Sequence, residues 1–162
     1  MLHEPAAVVV AFDGSTESRA AVRAAATLLA GRRLLIVSVW EPGLGMTLTT
    51  PNDPGGLGSL AYVAPAPEDV LAIDRAQHDH AMDVAVAGAQ IAREAGAWAE
   101  PLAVADTEDV AGTIIGVAEE HHAGAIAVGS RGRGRVRSMF GSTSQALLHR
   151  AASPVLVVRV PD

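Results

Sequence analysis

The apolar positions of this chain fall into two kinds of run. Short, unbroken runs rich in β-branched residues read as buried strands: "AAVVVAF" from Ala6, "RLLIVSVW" from Arg33, "AIAVG" from Ala125 and "PVLVVRV" from Pro154. "AWAEPLAVA", Ala97 to Ala105, is a weaker candidate because Pro101 interrupts it. Between these runs the apolar residues recur at helical spacing. In "STESRAAVRAAATLLAG" the positions Ala21, Ala24, Ala25, Leu28 and Leu29 share a face, with Ser15 or Thr16 as cap and Gly31 as stop. A longer helix is predicted from about Glu68 to Ala95, with Ile73, Gln77, Ala81, Val84, Gly88 and Ile91 on one face and Gly96 as stop. "TEDVAGTIIGVAEEHHAG" and "STSQALLHRAA" supply two more helices.

Strands alternating with helices imply parallel pairing, because each helix returns the chain to the start of the next strand. The predicted fold is a single doubly wound α/β domain over residues 1–162. Residues 41–67 interrupt the pattern: five of the nine prolines fall there, among Gly43, Gly45, Gly55, Gly56 and Gly58, so a long loop insertion is expected. In open sheets of this kind ligands sit beyond the carboxyl ends of the strands, where strand order reverses. Two such ends stand out, Asp13-Gly14-Ser15 after strand one and Gly129 after strand four. They form one site only if strands one and four are neighbours.

Composition narrows the chemistry. With 49% apolar and 19% charged residues the chain is globular, and no apolar segment approaches bilayer length. The beginning, "MLHEPAAVVVAFDGS", carries no positive region before its short apolar run, so a cytoplasmic protein is expected. There is no cysteine, which excludes disulfides and thiolate metal sites. All twelve cations are arginine. Without lysine there is no Walker A loop and no Schiff-base chemistry. A net charge of −6 speaks against general nucleic-acid binding.

The chemistry concentrates in "AIAVGSRGRGRVRSMFGSTS". Gly129 and Gly132 permit close backbone approach and offer amide hydrogens to an anion. Gly141 then leads into a helix whose first amides, with the hydroxyls of Ser142, Thr143 and Ser144, make an anion site. Arg131, Arg133, Arg135 and Arg137 form a basic strip in an acidic protein, suited to a small polyanion or simply solvated, with a nucleic-acid strip of RG-repeat type a distant third. The five aromatic residues, Phe12, Trp40, Tyr62, Trp98 and Phe140, offer little for base stacking. Of the six histidines, His78 and His80 point to different faces of a helix and His121 and His122 are adjacent, so surface histidine is the expectation.

"AFDGSTESRAAVRAA", "VGSRG", "GSTS" and "SPVLVV" together resemble the universal stress protein family over nearly the whole chain, apart from the Pro/Gly segment. ATP-binding members carry the pattern G-x2-G-x9-G-(S/T). Gly129, Gly132 and Gly141-Ser142 fall on it, with eight residues, Arg133 to Phe140, in place of nine. The resemblance implies a five-stranded sheet in the order 3-2-1-4-5 and a nucleotide between strands one and four. It implies that Asp13 helps hold the nucleotide and that Val39 lines an adenine pocket. The candidate binding set is therefore Ala11, Phe12, Asp13, Val39, Val128, Gly129, Arg131, Gly132, Arg133, Gly141, Ser142, Thr143 and Ser144.

Two plain alternatives stand beside this reading: Asp13 as a helix cap, and the Ser142 group as caps of their own helix. The expected ligand is ATP or a related adenine nucleotide, accompanied by Mg2+ or Mn2+ held through the ligand's own oxygens. The expected partner is a second copy paired through the last strand, Val155 to Val160. The expected role is a nucleotide-dependent regulatory module with slow turnover if any. A nucleotide-independent interaction module and a slow hydrolase or phosphotransferase are the rivals.

Overall fold

A computed structural model describes residues 6–43, 66–131 and 141–160. The chain runs β1 (Val8–Ala11), α1 (Thr16–Leu28), β2 (Leu34–Trp40), α2 (Pro67–Glu94), β3 (Ala99–Ala105), α3 (Val110–Glu120), β4 (Ala125–Gly129), α4 (Ser142–Arg150) and β5 (Val155–Val158). The five strands form one sheet in the order β3-β2-β1-β4-β5. All its pairings are parallel, and the central strand β1 aligns Val8 with Leu34 on one side and with Ala125 on the other.

The twofold alternation of strand side chains splits the core into two layers. On one face Val9, Ala11, Leu35, Val37, Ile126 and Val128 pack with Ala111, Ile114, Val117 and Ala118 of α3 and Leu147 of α4. On the other, Val8, Val10, Leu34, Ile36 and Ala127 meet Ala21, Val22, Ala25 and Ala26 of α1 and Ala89 and Ala92 of α2. The helices covering this second face present mainly alanine, so they lie close to the sheet. Gly88 marks the closest approach: a Cβ there would stand 2.7 Å from Ile36 Cγ2 and 2.8 Å from Phe12 Cδ1.

Two helix faces differ from the expected ones. On α1 the buried set is Ser18, Ala21, Val22, Ala25 and Ala26, and Leu28 is exposed. On α2 the buried residues are Ala81, Ala85, Gly88, Ala89 and Ala92, while Ile73, Gln77 and Val84 are half-buried. In both cases the burial follows the small residues, because only a narrow face fits against the sheet at this separation. Pro101 does lie within β3. That strand is at the edge of the sheet, where a missing N–H breaks no second ladder.

Ser15 caps α1, its hydroxyl accepting from Ser18 N at 3.2 Å. Asp109 caps α3, Oδ1 accepting from Gly112 N at 2.7 Å. The insertion proposed for 41–67 lies mostly outside the described residues. At its start, Gly43 N donates to both oxygens of Asp74 on α2, at 3.0 and 3.1 Å. Among the described residues no helix is long and apolar enough to cross a membrane.

Candidate functional site

β1 and β4 are neighbours, with Val10 opposite Ala127, so the loops that follow them open at the same end of the sheet. A cavity of about 320 Å³ lies there. Its floor comes from the ends of β1 and β2: Ala11, Phe12 and Asp13, then Val37, Ser38 and Val39. Its far wall is Val128 and Gly129 from β4 and Arg131 just beyond it, with Gly141 to Ser144 from the start of α4. Val110 and Ile114 of α3 and Ser18 of α1 close the sides.

The turn after β1 is set by Gly14, whose φ of 80° lies in the left-handed region that glycine adopts without strain. Ser15 N donates to Asp13 Oδ1 at 2.9 Å. The cap of α1 is therefore Ser15, and Asp13, two residues earlier, lines the cavity.

The polar wall rests on a small hydrogen-bond network. Gly141, the N-cap of α4, donates its N–H to Ser130 O at 2.6 Å. The buried Ser144 hydroxyl lies 3.1 Å from Ser130 O and 2.9 Å from Gly141 O, both of which accept from it. These bonds hold the helix start against the end of β4. The amides of Ser142, Thr143 and Ser144, which precede the first intrahelical donor Gln145, then border the cavity. Gly141 caps through its backbone alone, with no side-chain bond, and Ser144 acts as a staple more than as a cap. The hydroxyl of Ser130, a residue 1% exposed, has no hydrogen-bond partner among the described residues.

Gly129 has a second reason to be glycine. A Cβ there would stand 2.8 Å from both the carbonyl carbon and Cβ of Glu17, and 3.0 Å from its oxygen, so α1 packs directly on the end of β4. Arg131 borders the cavity with Nε 3.9 Å from Glu17 Oε1. At the edge of the site, the Asp109 carboxyl is held below its ordinary range, first by the Gly112 amide and then by Arg150. Arg150 Nη1 donates to Asp109 Oδ2 at 2.7 Å and Oδ1 at 3.0 Å, joining the start of α3 to the end of α4.

Eleven of the candidate residues thus line one cavity: Ala11, Phe12, Asp13, Val39, Val128, Gly129, Arg131, Gly141, Ser142, Thr143 and Ser144. Gly132 and Arg133 lie outside the described residues, as do Arg135, Arg137 and the shortened stretch before Gly141. Sequence reasoning missed Ser18, Val37, Ser38, Val110 and Ile114. Ser38 was discoverable as the lone polar residue in "LLIVSVW". Val110 and Ile114, four apart, reach the cavity only through the placement of α3. Among the described residues no group of three or more His, Asp or Glu side chains could hold a metal ion.

A scan against protein-family models matches residues 6–159 to the universal stress protein family. The chain belongs to that family. Solved universal stress proteins share its fold. One from Archaeoglobus fulgidus, in complex with dAMP, is 24% identical with a TM-score of 0.61, covering 98% of this chain and 99% of that one. UspA from Lactobacillus plantarum is 20% identical with a TM-score of 0.68, covering 97% and 99%. A member from Arabidopsis thaliana, with AMP bound, is 19% identical with a TM-score of 0.56, covering 97% and 93%. A search of curated proteins finds no match.

Proposed function

We propose that this universal stress protein binds an adenine nucleotide, ATP or a related one, in the cavity between the ends of β1 and β4. Occupancy would then change its shape or its choice of partner. The observation that carries the reading is the division of one cavity into an apolar part and a donor-rich part. Val37, Val39, Val110 and Ile114 offer an apolar slot of the kind that takes a planar base, and Asp13 can accept from amino or hydroxyl donors. The opposite wall offers the first amides of α4 with the hydroxyls of Ser142 and Thr143, a setting for phosphate. The dAMP and AMP complexes of related proteins support the same class of ligand.

The donor set tells how a divalent ion would enter. Asp13 is the only carboxylate among the cavity-lining residues described, so Mg2+ or Mn2+ would be carried mainly by the nucleotide's own phosphate oxygens. We read the site as one for binding, with slow turnover if any. Equilibrium titration of the purified protein with ATP and AMP tests the proposal. Saturable binding is expected, and absence of heat at millimolar concentrations of both nucleotides would leave the nucleotide-independent module as the better reading.

The same reading includes a cytoplasmic homodimer and a single domain. At one edge of the sheet β3 carries Pro101, whereas β5 at the other edge is "VLVV", half-buried throughout and, among the described residues, without a second strand neighbour. A second copy is the simplest cover for it. Light scattering at micromolar concentration should give twice the chain mass, and Val157→Lys should return it to one.

A further inference from the structure

Among the described residues that line the cavity there is one cation, Arg131, and one carboxylate, Asp13. The carboxylate of Glu17 stands beside Arg131. Glu17 Oε1 is 3.9 Å from Arg131 Nε, too far for a good hydrogen bond but close for Coulomb attraction. The Glu17 side chain is 21% exposed, so solvent screens the pair incompletely. Its position is also fixed. Glu17 lies in the first turn of α1, where the helix dipole favours an acid, and its backbone fills the space above Gly129.

We propose that Glu17 is a specificity-determining residue that acts through Arg131, lowering the positive field at the phosphate wall so that the site prefers adenine nucleotides of low phosphate charge. The inference rests on nucleotide binding as proposed above and adds a choice within that class. The physical basis is proportionality. A carboxylate near the phosphate wall repels a ligand by an amount that scales with the ligand's charge, so it weighs more against a triphosphate than against a monophosphate. Neutralising Glu17 removes that bias and frees the Arg131 charge for the ligand. The helix-terminal amides, which act at hydrogen-bond range, continue to hold the first phosphate in either case.

The test is titration calorimetry of the full chain with metal-free ATP and AMP, comparing the native protein, Glu17→Gln and Glu17→Asp. The native protein should bind AMP at least as tightly as ATP. Glu17→Gln should tighten ATP binding roughly tenfold and move AMP by less than about threefold. Glu17→Asp, which keeps the charge, should keep the native preference, and the gain in Glu17→Gln should shrink as salt is raised. If the native protein and both variants bind nucleotide but the ATP-to-AMP ratio does not move in Glu17→Gln, the inference is wrong and the nucleotide reading stands. Equal changes in the Gln and Asp variants would assign Glu17 a packing role instead and overturn it too. No binding by any of the three proteins, with unchanged thermal transitions, removes the nucleotide reading itself and this inference with it.

Discussion

The floor and the far wall of the cavity are built by different physics. The floor is the sheet's own core running out at its carboxyl end: Ala11, Phe12 and Val37 are buried, and Val39 packs against the layer of Ala11 and Val37. The wall consists of backbone amides and hydroxyls held in place by Gly141 N to Ser130 O and by the Ser144 hydroxyl. A floor of this kind comes with the fold, because central parallel strands must be apolar to be buried on both faces. The wall depends on a few directed bonds. Changes to shared packing should therefore cost stability, and changes to the wall should cost the ligand more than the fold.

Gly129 gives the largest effect and tests where that division lies, since it borders the cavity and also carries α1. Gly129→Val should destabilise the protein by about 3 kcal/mol, because the new side chain meets the Glu17 backbone and not a flexible tip. Chemical denaturation would show it as a lower midpoint with unchanged slope. A variant of native stability that has lost only nucleotide affinity would place Gly129 wholly on the binding side.

Ser144→Ala comes next. It removes a buried hydroxyl that donates to the Ser130 and Gly141 carbonyls, and a loss of about 1–2 kcal/mol in stability is expected. Each carbonyl keeps a backbone donor, Gly141 N for Ser130 O and Gln145 N for Gly141 O, which limits the cost. Nucleotide affinity should fall with it, because the helix start loses its staple. Asp13→Asn is smaller for the fold and sharper for the ligand. The amide oxygen can still accept from Ser15 N, so stability should change by less than about 0.5 kcal/mol while affinity falls about tenfold. Equal losses in stability and affinity across these variants would erase the distinction between floor and wall.

Much of this was legible before the structure, for particular reasons. The β-branched runs declared β1, β2 and β4, and Ser15 was one of two caps considered for α1. The strand order came from the family resemblance, and the sheet agrees with it. What stayed hidden needs a third dimension. No pattern in "STESRAAV" shows that the Glu17 backbone would lie on Gly129, since the contact joins residues more than a hundred positions apart. The helical period of α1 pointed to Leu28, but the buried face turned toward Val22 and Ala26, set by how closely the helix approaches the sheet. Val110 and Ile114 looked like ordinary core positions of α3. Only the placement of that helix beside β2 and α4 brings them to the cavity.

The smallest expected effect concerns Asp109, which borders the site without lining it. Its carboxylate accepts from Gly112 N and from Arg150 Nη1, and both bonds favour the ionised form. The folded-state pKa therefore lies below the ordinary carboxyl value of 3.8. A group of this kind contributes stability that is fully present above its unfolded value and is lost as pH falls through the folded one. Asp109→Asn keeps a capping side chain for α3 but loses the charge that Arg150 answers. The native protein should thus melt slightly higher than Asp109→Asn at pH 7, by a margin constant down to about pH 4 that closes below it. Because the pair is exposed, added salt should also narrow the margin at neutral pH. Nucleotide affinity at pH 7 should stay within about twofold, since the cavity wall hangs on Ser130 and Ser144 and not on this link. A larger drop in affinity than in melting temperature would mean that Arg150 transmits its hold on Asp109 along α4 to the amides at the helix start, and the wall would then extend one helix further than its hydrogen bonds indicate.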